Sequence, residues 1–153
     1  MHQYDQGSVP QPAVGTDFNN VPNFSEPYRL LTLRCKLVTS AVVATRYPHF
    51  QFVTPSGEVV HEIVPQNGQA ASLTYYYDLI AGSGSANEGS VVNDNVVSLS
   101  LPDLWWPHGT KLQVVTTARD VGDQWSDIYY SLFVGDEWER DRRILEALQQ
   151  LGG

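Results

Sequence analysis

The chain has 153 residues and a net charge of −8. An acidic balance of this size excludes a surface built for phosphate contacts, which needs clustered Lys and Arg, and it fits an anionic membrane surface no better. The length suits one domain with flanking extensions, and no apolar run approaches the ~18 residues of a membrane span.

Met1 to Pro27 carries no periodic pattern. Pro10, Pro12, Pro22 and Pro27 alternate with Gln, Asn and isolated aromatics. This composition fits either a free tail or an extended arm lying on a neighbouring subunit. Proline reduces the entropy lost on ordering, and Tyr4, Phe18 and Phe24 would be the anchors of such an arm.

Tyr28 to Thr39 reads as a strand by its period-two alternation. Leu31, Leu33, Cys35 and Leu37 are expected inward, and Thr32, Arg34, Lys36 and Val38 outward. Cys35 is the only cysteine, so no intrachain disulfide can form. Its phase makes it a small core residue, and the chain is expected to be made in a reducing cytosol. A second strand spans 46–54, with Pro48 marking a late start or an edge. Pro55-Ser56-Gly57 is a tight turn, and Glu58 to Val64 returns as the other arm of a hairpin.

After the turn at 66–69, residues 70–80 form a fourth strand. Leu73, Tyr75, Tyr77 and Leu79 share one face, so Tyr76 has to pack against something other than the main core. Residues 81–95 are a long Gly/Ser/Asn loop suited to contacting a partner. Val96 to Leu101 is the fifth strand. Trp105-Trp106, flanked by Pro102 and Pro107, makes a corner from which adjacent side chains point opposite ways. One enters the core, and the other covers an edge or meets a partner. The alternative is a stacking platform for a sugar.

Leu112, Val114, Thr116 and Ala118 alternate with polar residues, and so do Ile128, Tyr130, Leu132 and Val134. The segment between them, 119–124, has turn chemistry, with Gly122 available for positive φ. These two strands read as a β-hairpin in the middle of a sheet. Past Gly135 the period changes. Asp136 and Glu139 fit a capping box, and Ile144, Leu145, Leu148 and Leu151 recur at helical spacing over about 137–150. This leucine stripe has to dock on its own sandwich or on a neighbour.

Seven strands without intervening helices indicate an all-β, antiparallel β-sandwich or jelly roll. The expected organisation is an N-terminal arm over 1–27, a sandwich over 28–135 and a C-terminal amphipathic helix over 136–153.

The order Leu-Pro-Asp-Leu, Pro-x-Gly, Val-Thr-Thr, Gly-Asp-Gln-Trp-Ser-Asp-Ile and Glu-Trp between Leu101 and Trp138 resembles a group of small β-sandwich virion proteins of tailed bacteriophages. Leu37 to Arg46 and Gln69 to Thr74 fit as well, so the resemblance covers roughly residues 27–138. It implies a structural subunit of the particle, decorating the head or associated with the head–tail neck. It brings no catalytic residues. Its implied partners are other virion proteins and further copies of itself, without direct nucleic-acid or membrane contact. Its implied location is the virion, assembled in the host cytoplasm.

Chemistry-bearing patterns are sparse. His2, His49, His61 and His108 stand in separate elements, without the spacing of zinc motifs. Asp120, Asp123 and Asp127 surround a turn, where solubilising acids are the plain reading and a carboxylate pair or calcium site the sharper one. No catalytic, cofactor or metal residue is assigned, no cofactor is expected, and the chain is expected not to be an enzyme. The candidate site residues are partner-binding: Tyr4, Phe18, Phe24, Trp105, Trp106, Ile144, Leu148 and Leu151. A receptor- or carbohydrate-binding module of a tail fibre is the alternative, with Trp105 or Trp106, and Tyr76, exposed beside polar groups.

Overall fold

The computed structural model describes residues 2–19, 26–82, 91–92, 95–135 and 147–151. Among the described residues nine strands run in chain order: β1 (His2–Val9), β2 (Tyr28–Val38), β3 (Tyr47–Val53), β4 (Val59–Ile63), β5 (Thr74–Ala81), β6 (Val91–Val92), β7 (Val96–Leu101), β8 (Lys111–Thr117) and β9 (Gln124–Gly135). They form two sheets, one of six strands in the order β1-β9-β2-β5-β7-β6 and one of three in the order β4-β3-β8. The expected all-β sandwich is therefore what the chain builds. Every pairing is antiparallel except β5 with β7, which is parallel.

The core lies between the sheets and follows the strand periodicity. Leu33, Cys35 and Leu37 of β2, Tyr77 and Leu79 of β5, Val97 and Leu99 of β7 and Leu132 of β9 point inward from one sheet. Phe50 and Phe52 of β3 with Leu112 and Val114 of β8 meet them from the other. Trp125 sits among them, with ring centroids 5.3 Å from Phe18, 5.7 Å from Tyr77 and 6.2 Å from Phe50. Edge-to-face and tilted arrangements of this kind suit the aromatic quadrupole.

Four expectations are corrected. In β2 the inward phase does not include Leu31. The register with β9 slips between Leu30 and Thr32, so Leu31 is the extra residue of a bulge, and Tyr28 and Leu30 face inward instead. A second slip places an extra residue at Asp127 of β9, whose φ is +50°. Bulges of this kind re-aim side chains without ending a strand.

The second correction concerns β8 and β9, which are not a hairpin. They belong to opposite sheets, β8 beside β3 and β9 between β1 and β2. The connection is an arch across the end of the sandwich. Alternation alone gives both strands one buried face, and an arch satisfies it as well as a hairpin does.

The third concerns the N-terminal segment, read as a free tail or an arm on a neighbour: its described residues 2–19 lie on this chain's own sandwich. β1 pairs with β9 along its whole length, His2 opposite Gly135 through Val9 opposite Ile128. Residues 10–19 then pass to the other sheet. The Val114 amide donates to the Phe18 carbonyl at 3.0 Å, and the Gly15 amide donates to the Asp123 carbonyl at 2.7 Å. Phe18 is buried at 3% exposure. The segment is anchored because it supplies both a strand for an open sheet edge and a ring for the core.

The fourth is the 81–95 segment, read as a loop, which includes β6 at Val91–Val92 paired with β7. At the other end of the chain, residues 147–151 are helical, within the expected C-terminal helix. Phe24, Trp138 and Ile144 lie outside the described residues.

Candidate functional site

The arch end of the sandwich holds a dense network of side-chain bonds. Arg46, fully buried, forms a two-pronged ion pair with Asp123: Nε donates to Oδ2 at 3.0 Å and Nη2 to Oδ1 at 3.1 Å. Nη1 donates to the Ala44 carbonyl at 2.8 Å, and Nη2 also reaches Ser40 Oγ at 3.1 Å. Asp123 further accepts the Ser40 and Asp120 amides, while Asp120 accepts the Ser40 hydroxyl at 2.7 Å. Burial pushes the Asp123 carboxyl up. The Arg46 guanidinium and the two amides outweigh it and hold the group below the usual carboxylate range.

Asp120 and Asp123 thus belong to a structural lock between the 39–46 and 118–124 segments, and not to a solubilising turn. Asp127 stands apart from them and pairs with Lys36 at 3.1 Å. Gly122 serves close approach here, since a Cβ would fall 2.9 Å from Ser40 Cβ. The positive φ of the turn belongs to Ala118.

Asp17 completes the anchoring. It accepts the Thr116 amide and hydroxyl and the Trp125 indole N–H, and it pairs with Arg119.

The Trp corner is tied to the start of β2 by reciprocal backbone bonds between Trp106 and Tyr28. Trp106 is 8% exposed and stacks on Phe52 at 4.2 Å with an interplanar angle of 12°. Its indole N–H is buried without a hydrogen-bond partner among the described residues. Trp105 is half-buried. Trp106 therefore has its faces taken by the core, and the corner does not present a pair of stacking rings.

Aromatic surface is exposed elsewhere. On the outer face of the six-stranded sheet, Tyr4 of β1, Tyr129 of β9 and Tyr76 of β5 are exposed at 51%, 55% and 40%. A groove of about 560 Å³ runs over β1, β9, β2 and β5, with Gln6, Thr32, Arg34, Asp78 and Ser131 among its walls. A second hollow of about 200 Å³ adjoins it, sharing Arg34, Asp78 and Tyr129 and adding Tyr76, Val96 and Asp127. Arg34 pairs with Asp78 at 3.1 Å, and the hydroxyls of Thr32 and Ser131 are 2.5 Å apart. Gln6 Nε2 donates to the Tyr4 hydroxyl at 2.6 Å.

The sequence reading named Tyr4 as a contact residue and set Tyr76 outside the core, but it missed Tyr129, Arg34 and Asp78. The available signal was that all of them occupy outward phases of neighbouring strands. Which strands are neighbours was not written in the alternation.

A second exposed region follows β4, the edge strand of the smaller sheet. Val59 and Val60 are half-exposed, and Val64 is exposed just beyond the strand. The register with β3 slips at Val60, so this edge is bent and not a straight template for another strand. Beside it Glu62 accepts from Gln51 at 2.8 Å and pairs with His49. The Gln51 bond, then His49, keep its carboxyl below the usual range against the opposing effect of burial. At the C-terminus, Leu148 and Leu151 are exposed at 59% and 85%.

Cys35 is fully buried. Burial, with a contribution from the Asp78 carboxylate, pushes its thiol well above its ordinary value, so it stays protonated as a core residue. Among the described residues, no group of three or more His, Cys, Asp and Glu is placed to hold a metal ion, and no helix is long and apolar enough to cross a membrane. No protein-family model, curated protein or solved structure matches the chain.

Proposed function

We propose that the chain is a non-enzymatic structural subunit of a tailed-phage particle, decorating the head or associated with the head–tail neck. It docks on neighbouring virion proteins through the β4 edge and the C-terminal leucines. The observation that carries this reading is the exposure of Val59, Val60 and Val64, on either side of His61 and Glu62, along a sheet edge that β3 covers on one side only. Apolar side chains gathered on an edge are unfavourable in water, and their burial at an interface stabilises it by about 25 cal/mol per Å² removed from solvent. The bend at Val60 favours side-chain docking over addition of a strand.

The test is co-sedimentation of the purified chain with isolated heads of the phage that encodes it, stripped of their own copy. The wild type is expected to sediment with the heads. Val60→Lys is expected to keep its thermal unfolding midpoint and lose sedimentation, because a charge on an exposed edge is tolerated in the monomer and excluded from an apolar contact. Equal sedimentation of the two proteins, or none by the wild type, would sink the reading.

A further inference from the structure

We infer that the tyrosine-lined groove on the outer face of the six-stranded sheet binds a neutral oligosaccharide. This goes beyond the assembly role and does not rest on it, since the groove and the β4 edge lie on different sheets.

Three features of the groove define the ligand. The first is aromatic surface held in place. Tyr4, Tyr129 and Tyr76 stand on β1, β9 and β5 with their strands locked in ladder hydrogen bonds. Tyr129 and Tyr76 are two strands apart, a lateral step of about 10 Å. A tyrosine ring has few rotatable bonds, so little entropy is lost when it is covered. The C–H face of a pyranose ring stacks on such a surface.

The second feature is the polar complement. Between the rings stand Gln6, Thr32 and Ser131, which can donate and accept, and the Arg34–Asp78 pair. Sugar hydroxyls need both kinds of partner in one place, whereas a hydrocarbon ligand would strand these groups without solvent.

The third is charge. Arg34 is matched by Asp78 and Lys36 by Asp127. Among the described residues that line the groove and the hollow, each of the charged groups Arg34, Asp78 and Asp127 is therefore paired, which leaves no unpaired charge to attract an anionic or a cationic ligand. The volume of about 560 Å³, with about 200 Å³ adjoining, suits several sugar units laid across the strands.

The experiment titrates the full, ¹⁵N-labelled chain with cellohexaose, chitohexaose and maltohexaose in turn. At least one is expected to shift the amides of β9, β2 and β5 around Tyr129, Arg34 and Asp78, with a dissociation constant of about 1 mM or lower. Tyr129→Ala is expected to weaken that binding by about tenfold or more. Tyr129→Phe, which keeps the ring, is expected to retain most of it, and so is Val115→Ala on the opposite sheet. Circular dichroism and the unfolding midpoint of each variant separate loss of the site from loss of the fold. Failure of all three sugars to bind overturns the proposal, as does binding that Tyr129→Ala and Tyr76→Ala both leave intact. If the groove amides respond to isolated heads and to no sugar, the face is a protein interface and the proposal is wrong, while the assembly reading stands.

Discussion

At the scale of single residues, the molecule depends on charges that its sequence presents as surface. Arg46 and Asp123 have fully buried side chains. Two charges brought out of water are stable only because every prong is matched, by each other, by the Ala44 carbonyl and by the Ser40 and Asp120 amides. Removing one partner leaves the other uncompensated. Asp123→Ala is expected to cost about 3–5 kcal/mol, read from urea midpoints at an unchanged slope. The double variant Arg46→Met with Asp123→Leu should recover a large part of that loss.

The lock also sets an acid limit. A carboxyl held below its unfolded value contributes stability above the unfolded pKa of about 3.9, and that stability fades as pH falls through the folded value. The unfolding midpoint of the wild type is therefore expected to drop below pH 4, with a shallower drop in the charge-free double variant. Equal slopes would show that the pair is not the titrating element. None of this was readable in the sequence. Asp120-Val121-Gly122-Asp123 has the composition of an exposed turn, and only the fold brings Arg46 to it from 77 positions away.

At the scale of elements, most strands follow from alternation, and the departures have identifiable causes. The β3–β4 hairpin is found where period and turn residues put it, because its contacts are local, and β7 follows its own alternation although its main partner, β5, is distant in the chain and parallel to it. Pro48 fits its strand because β4 begins to pair with β3 only at Phe50, so the strand has one neighbour there. The β2 phase error came from the bulge at Leu31, an inserted residue that alternation cannot register. The β8–β9 arch was taken for a hairpin because sheet assignment is a long-range property.

β1 was invisible for another reason. Gln6, Gly7 and Ser8 lack strand character, and the strand forms because β9 offers an open edge. Tyr130 lies across Gly7, where a Cβ would fall 2.3 Å from its hydroxyl oxygen. The N-terminal segment therefore stabilises this chain itself. Phe18→Ala is expected to destabilise the isolated protein by about 3–5 kcal/mol. An arm that served only a neighbour would leave the isolated protein's stability unchanged on the same substitution.

At the scale of the whole molecule, the binding surfaces are what remain after the chain has satisfied itself. The N-terminal aromatics Tyr4 and Phe18 divide between them: Phe18 is spent in the core, and Tyr4 remains on the open sheet face. Trp106 is likewise taken inward, onto Phe52. Among the described residues the tyrosine groove, the β4 edge and Leu148 and Leu151 stay exposed, beside scattered apolar side chains such as Val43 and Val121. The sequence allowed a binding module to be read, through low charge and many aromatics; of the aromatics it named, Phe18 and Trp106 are buried and Tyr4 is exposed. Burial depends on which sheet a strand joins, and that was decided by pairings between distant segments.

The assembly account is tested most directly by hydroxyl-radical footprinting of the protein, free and bound to heads. It predicts that Val59, Val60, Leu148 and Leu151 are labelled in the free protein and protected on the particle, with Phe18 shielded in both states. Unchanged labelling along β4, together with a Phe18 that is labelled when free and protected only on the particle, would contradict it. That result would return the N-terminal segment to the role of an arm laid on a neighbour.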